Sequence, residues 1–190
     1  DMIIEKLKEK KSRNVEGIFS HLSSSDTSKE YTEWQLEKYK EVVKKFPDVK
    51  FKLRFIGNPA ATIIEKIKST SLNDSLELIP TVTHEKSVEY LLSSTILFLV
   101  IPEIKNDKGI LTGKLFEYLG SQKPIICIGP SDGDAAEIID ECEAGKTFDR
   151  KKEKEIAEYL EELIIVWKSD KKLEIKNNKF IKYSRRRQTK

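Results

Sequence analysis

The run from Lys108 to Asp134, KGILTGKLFEYLGSQKPIICIGPSDGD, holds the residues best suited to chemistry. Gly109 and Gly113 bracket Ile-Leu-Thr, so the backbone there can approach a ligand with no Cβ in the way. Thr112 is placed to N-cap a helix that opens at Gly113. The free amides of Gly113, Lys114 and Leu115, with the positive end of the helix dipole, suit a phosphate. Lys114 adds a full positive charge beside them, and Glu117, one turn further in, is placed to accept hydrogen bonds from ribose hydroxyls. The Walker pattern G-x-x-x-x-G-K-[ST] is absent, because Leu115 follows the lysine. The same residues also suit a plain surface helix, with Thr112 as its cap and Glu117 on a solvated face.

The elements that must position this run follow from periodicity. VEGIFSHL (15–22) reads as a strand entering a Ser-rich loop, and 31–46 as a helix with Tyr31, Trp34, Tyr39, Val42, Val43 and Phe46 on one stripe. Strands are expected over 51–57, 75–80, 95–102 and 125–129, with a short one at Lys146–Phe148. Helices are expected over AATIIEKIKS, HEKSVEYLLSS, the segment opening at Gly113, DAAEIIDECE (134–143), and the amphipathic stretch KEKEIAEYLEELIIVWK. This alternation predicts an α/β chain: a Rossmann-like, three-layer α/β/α domain with a mostly parallel sheet of about six strands. In such a sheet ligands sit outside the carboxyl ends of the strands. The loops to inspect are therefore 20–25, 57–59, 80–84, 102–113 and 129–134.

Composition bounds the rest. A chain of 190 residues with 38% hydrophobic and 35% charged residues suits one globular domain. Its 35 Lys+Arg against 32 Asp+Glu leave +3, which argues against a nucleic-acid binder relying on a large basic surface. The basic tail KYSRRRQTK (182–190) reads as a solvated helix end. Cys127 and Cys142 are too few for a disulfide scaffold and read as small buried hydrophobes in a reducing cytoplasm. His21 and His84 have no Cys or His at ligand spacing, so no zinc site is expected.

GILTGKLFEYLGSQKPIICIGPSDGDAAEII resembles the donor-binding domain of glycosyltransferases with the two-Rossmann GT-B architecture, chiefly bacterial enzymes of surface-polysaccharide synthesis (glycosyltransferase family 4-like). LRFIGN and LELIPTVTHEKSVEYLLSSTILFLVIP extend the similarity over roughly residues 50 to 148. The resemblance implies that Thr112, Gly113 and Lys114 hold the nucleotide diphosphate and that Glu117 binds ribose. It also implies that Val82 and Thr83 contact the base and that Gly57 lines the same cleft. The implied activity is transfer of a hexose from a UDP-, GDP- or dTDP-sugar to an acceptor hydroxyl, without a metal. The acceptor, a glycan or a lipid-linked glycan, would belong to an amino-terminal domain not included in residues 1–190. The whole enzyme would then be cytoplasmic, with peripheral contact at the inner face of the membrane.

Two departures stand against that pattern. Eight positions before Glu117, where many retaining members carry a second glutamate, this chain has Gly109, with Asp107 out of register. After the first strand only His21 and Lys29 are available to face phosphates. Asp132-Gly133-Asp134 imitates a metal-binding D-x-D, but its place between a strand and a helix predicts an Asp N-cap and first-turn charge instead. His84 opens a helix beside the base pocket, and Trp34 and Trp167 read as core or domain-interface anchors. A nucleotide-sugar 2-epimerase and a non-catalytic nucleotide-binding scaffold remain the alternatives.

Overall fold

The computed structural model describes residues 18–21, 41–59, 61–69, 72–170 and 172–184. Lys29 and Trp34 lie outside them, as does most of the helix expected over 31–46, of which 41–45 is helical.

Six strands form one parallel sheet: β1 Ile18–His21, β2 Leu53–Ile56, β3 Leu76–Ile79, β4 Ile96–Val100, β5 Ile125–Ile128 and β6 Gly145–Phe148. Their order is β3-β2-β1-β4-β5-β6, that of a Rossmann sheet. β1 lies at the centre, pairing Ile18 with both Leu53 of β2 and Ile96 of β4. Each strand falls inside, or within one residue of, the range expected from periodicity.

The apolar runs explain the layering. ILFLV and IICI are apolar at every position, so these strands need cover on both faces. Side chains alternate accordingly. Leu97, Leu99, Ile125 and Cys127 enter one buried cluster, Ile96 and Ile126 the other. Helices α2 His84–Leu92, α3 Gly113–Ser121 and α4 Asp134–Glu141 cover the first face through Leu91, Leu115, Tyr118, Leu119 and Ile139. Helices α1 Ala61–Lys68 and α5 Glu153–Asp170 cover the second, with Ile67 and Leu160 buried and Trp167 packed against that core. Both cysteines are buried.

Beyond α5 the structure departs from expectation. The chain turns back as a strap rather than ending as a solvated helix. Leu173 is buried, and Ile175 N donates to Gln122 O at 2.9 Å. The strap then forms a 3-10 turn, Lys179–Tyr183, whose Tyr183 ring packs 6.2 Å from that of Phe116 on α3. Tyr183 OH donates to Glu141 at 2.6 Å, and Lys182 pairs with the same carboxylate. The positive charge at Lys182 is thus spent on α4, and residues 185–190 lie outside the described chain.

Candidate functional site

Contacts from α2, from the β5–α4 loop and from the residue after β6 meet on α3 and the β4–α3 loop that leads into it. The β4–α3 loop leaves the sheet at Ile101, whose amide donates to Ile128 O at 2.8 Å. It passes the left-handed Asn106 (φ 66°), forms a 3-10 turn at Asp107–Gly109, and reaches Thr112 in extended conformation.

Thr112 is the N-cap of α3 by position, but its hydroxyl makes no capping bond. Its carbonyl instead accepts from Leu115 N at 3.0 Å, while Oγ1 is buried without a partner. The amides of Gly113 and Lys114 lie in the first turn, where no preceding helical carbonyl exists to receive them. That turn carries no acidic residue. A Cβ added at Gly109 or Gly113 would meet no atom within 4 Å, so the space in front of the helix start is open. Lys114 is half-buried, and burial pulls its pKa below the ordinary lysine value against the opposing pull of Glu117. An anion entering here would meet a lysine already short of hydration.

Glu117 is exposed, and its Oε1 lies 3.4 Å from His84 Nε2. This contact brings the first residue of α2 to the second turn of α3. Thr83, just before it, accepts from Lys86 N at 3.4 Å and so caps α2 with its side chain. Val82 packs against the first core cluster, which leaves its backbone rather than its side chain for a ligand. Gly57, at φ 105°, ends β2 and donates to Ile79 O at 2.9 Å, tying its turn to the end of β3. The structure thus gathers Thr112, Gly113, Lys114 and Glu117 at the start of one helix and brings His84, with Thr83 before it, beside them, while Gly57 is held at the turn after β2 against the end of β3. The side chain of His21, last in β1, is outside the described set.

Three details differ from expectation. The N-cap of α4 is Gly133, not an aspartate, because an added Cβ there would stand 2.9 Å from Lys108 O. Asp132 is instead ion-paired with Lys108, which holds its carboxyl below the usual range. Asp107 is taken by Arg150, whose Nη2 donates to Asp107 Oδ2 at 3.0 Å and to Ile101 O at 2.9 Å. Arg150 stands just after β6, and that place at a strand's carboxyl end is its one signal in the sequence; its partners Asp107 and Ile101 are not evident from local spacing. Among the described residues, no three His, Cys, Asp or Glu side chains cluster to hold a metal, and no helix is long and apolar enough to cross a membrane.

A cavity of about 440 Å³ opens at the opposite end of the sheet, between Pro124, Gly145, Leu163 and Leu173. Its carboxylates are engaged, Glu143 by Lys179 and Glu174 by Lys172 at 2.8 Å. It lies away from the strand ends where parallel sheets bind ligands.

Comparison with known proteins divides the chain. A family model, "Alanine racemase, N-terminal domain", matches residues 1–73. Over 52 residues the chain is 54% identical to "Alanine racemase 1" of Clostridium acetobutylicum, covering 25% of this chain and 13% of that protein. Solved structures match far more of it. WaaG, a glycosyltransferase involved in lipopolysaccharide biosynthesis, superposes with a TM-score of 0.60 at 13% identity over 86% of this chain and 42% of its own. The fold is that of the GT-B glycosyltransferases. S. aureus MnaA, solved with UDP, gives a TM-score of 0.59 at 13% identity over 100% of this chain and 49% of its own. S. aureus TarM, in complex with UDP among other ligands, gives 0.57 at 17% over 82% and 30%. This GT-B-like chain spans less than half the length of these structures. The racemase-like stretch contributes β1 and β2 to its sheet, and of the candidate residues it includes His21, Lys29 and Gly57.

Proposed function

We propose that this chain is the donor-binding domain of a glycosyltransferase that moves a hexose from a nucleoside-diphosphate sugar to an acceptor hydroxyl in polysaccharide synthesis. The observation that carries this reading is the open, acid-free start of α3, where the fold itself has no need of glycine at 109 or 113. The amides of Gly113 and Lys114, with the Thr112 hydroxyl and the Lys114 charge, receive the diphosphate. Glu117 accepts from the ribose hydroxyls, the backbone at Val82 and Thr83 meets the base, and Gly57 and Gly109 leave room for the donor. As the glycosidic bond breaks, negative charge grows on the departing diphosphate. Amides already pointing there stabilise it without reorganising, which substitutes for a metal. A glycan or lipid-linked acceptor is supplied by a second domain, in a cytoplasmic enzyme working at the inner membrane face.

The test is calorimetric titration with UDP, GDP and dTDP, each with and without magnesium. Binding of one of them without magnesium is the expected result. Silence from all three, both here and in the longest natural chain containing this domain, would sink the reading.

A second reading, a nucleotide-sugar 2-epimerase, rests on the imidazole of His84 standing 3.4 Å from the Glu117 carboxylate, which puts acid and base groups at one cleft mouth. Incubation with UDP-N-acetylglucosamine, followed by NMR for the 2-epimer, separates the two.

A further inference from the structure

Three loops at the carboxyl end of the sheet are tied to one another, and Arg150 is the tie that reaches the donor helix. From the β6–α5 loop, Asp149 accepts from Ser131 N at 3.2 Å and from Ser131 Oγ at 2.8 Å, which fixes the β5–α4 loop. The next residue, Arg150, bonds Ile101 O and Asp107 through one nitrogen and so grips both ends of the 101–107 segment. Side chains of Arg150 and Asp107 are each only 19% exposed, so water competes poorly for this bond. Lys108 then pairs with Asp132, and Gly133 abuts Lys108 O. The loop that ends in Thr112 is therefore set by its neighbours before any ligand arrives.

We infer that Arg150 is a positioning residue for the donor site: by holding Asp107 and Ile101 O, it places the β4–α3 loop so that the first amides of α3 face the diphosphate. This rests on the donor reading above and adds a residue that touches no ligand itself. Its guanidinium charge is committed to the Asp107 carboxylate and the Ile101 carbonyl.

The variants are Arg150→Leu, Asp107→Asn and the two combined, each titrated with whichever of UDP, GDP and dTDP binds the parent. The loop amides of 101–112 are followed by hydrogen exchange. Each single change is expected to weaken nucleotide binding about tenfold and to speed exchange in the loop, with β4 and β5 still protected. The combined variant should be no weaker than the worse single one, since Arg150→Leu and Asp107→Asn both remove the same ion pair. A purely structural role would not produce that coupling in affinity. Arg150→Lys, which restores one donor, should recover part of the loss. Asp107→Asn, which keeps shape, carries the test if Arg150→Leu does not fold. A parent that binds nucleotide while the variants bind equally well, or lose affinity additively, overturns the positioning role alone. A parent that binds none of the three overturns the donor reading and this role with it.

Discussion

Gly145 and Gly113 stand at opposite ends of the sheet, and the fold needs only one of them. At Gly145, φ is +151° and an added Cβ would stand 1.8 Å from Ile125 O, inside the β5–β6 ladder. At Gly113 the same atom would meet nothing within 4 Å. The amino end holds the cavity of about 440 Å³, but its acidic groups are engaged: strap lysines pair with the carboxylates of α4 and its C-terminal flank, and Gly145 itself lies tight against the β5 backbone. The carboxyl end is open in front of one helix and braced behind it. Gly113, which its own fold does not require, is the glycine on which the donor reading rests.

The sharpest way to break that contrast is Gly145→Ala. The new methyl must displace a strand carbonyl at a backbone angle that alanine resists, so a loss of about 3 kcal/mol or more is expected in denaturant unfolding. A loss near zero would mean the amino end is looser than described. Next in size is Glu117→Ala, where the exposed carboxylate contributes little to folding. Nucleotide affinity should fall about tenfold with an unchanged melting temperature, since ribose loses a charged acceptor. Lost stability with intact affinity would assign Glu117 to the fold. Gly113→Ala should part the two properties: stability rises by about 0.5–1 kcal/mol as helix propensity improves, while affinity drops if the methyl enters the space proposed for the diphosphate. A variant that binds normally would leave that space unused.

The smallest effect concerns the strap. Lys182 and Tyr183 hold the Glu141 carboxyl below its ordinary 4.5, so its contribution is present above that value and fades as pH falls through the lowered one. Glu141 in turn raises Lys182 above 10.5, so that contribution is present below 10.5 and fades in stronger alkali. Tyr183 ring resonances should report a docked strap across the neutral range and release in acid. Release at neutral pH would show that the ion pair does not hold it.

The parallel sheet was legible because β4 and β5 are unbroken apolar runs, which only a sheet covered on both faces can bury. The start of α3 was legible because Thr112-Gly113 marks a helix opening, although the same pair would serve a plain surface helix equally well. The strap was not, since Leu173, Ile175, Phe180 and Tyr183 follow neither helical nor strand spacing among lysines and asparagines. The cap of α4 was misjudged because an aspartate is the better cap in isolation, while the contact that demands Gly133 comes from Lys108, distant in sequence. Arg150 bonds two partners on another loop, a pairing that no local pattern announces. The likeness of residues 1–73 to a racemase domain was equally hidden, because the periodicity of strands and helices carries no family signature.

The central place of β1 also bears on how the chain assembles. β2 and β3 follow it closely, and β4, β5 and β6 form their own ladder from nearby segments, so each half can build from local pairings. The seam between the halves is the match of Ile18–His21 with Ile96–Leu99, which closes a loop through all of the intervening chain. Loop-closure entropy makes that pairing slow and late. On the ribosome, β1 emerges first and keeps an unpaired edge until β4 arrives. A product that stops before Ile96 therefore exposes a bare strand edge, and it should aggregate where the longer chain folds.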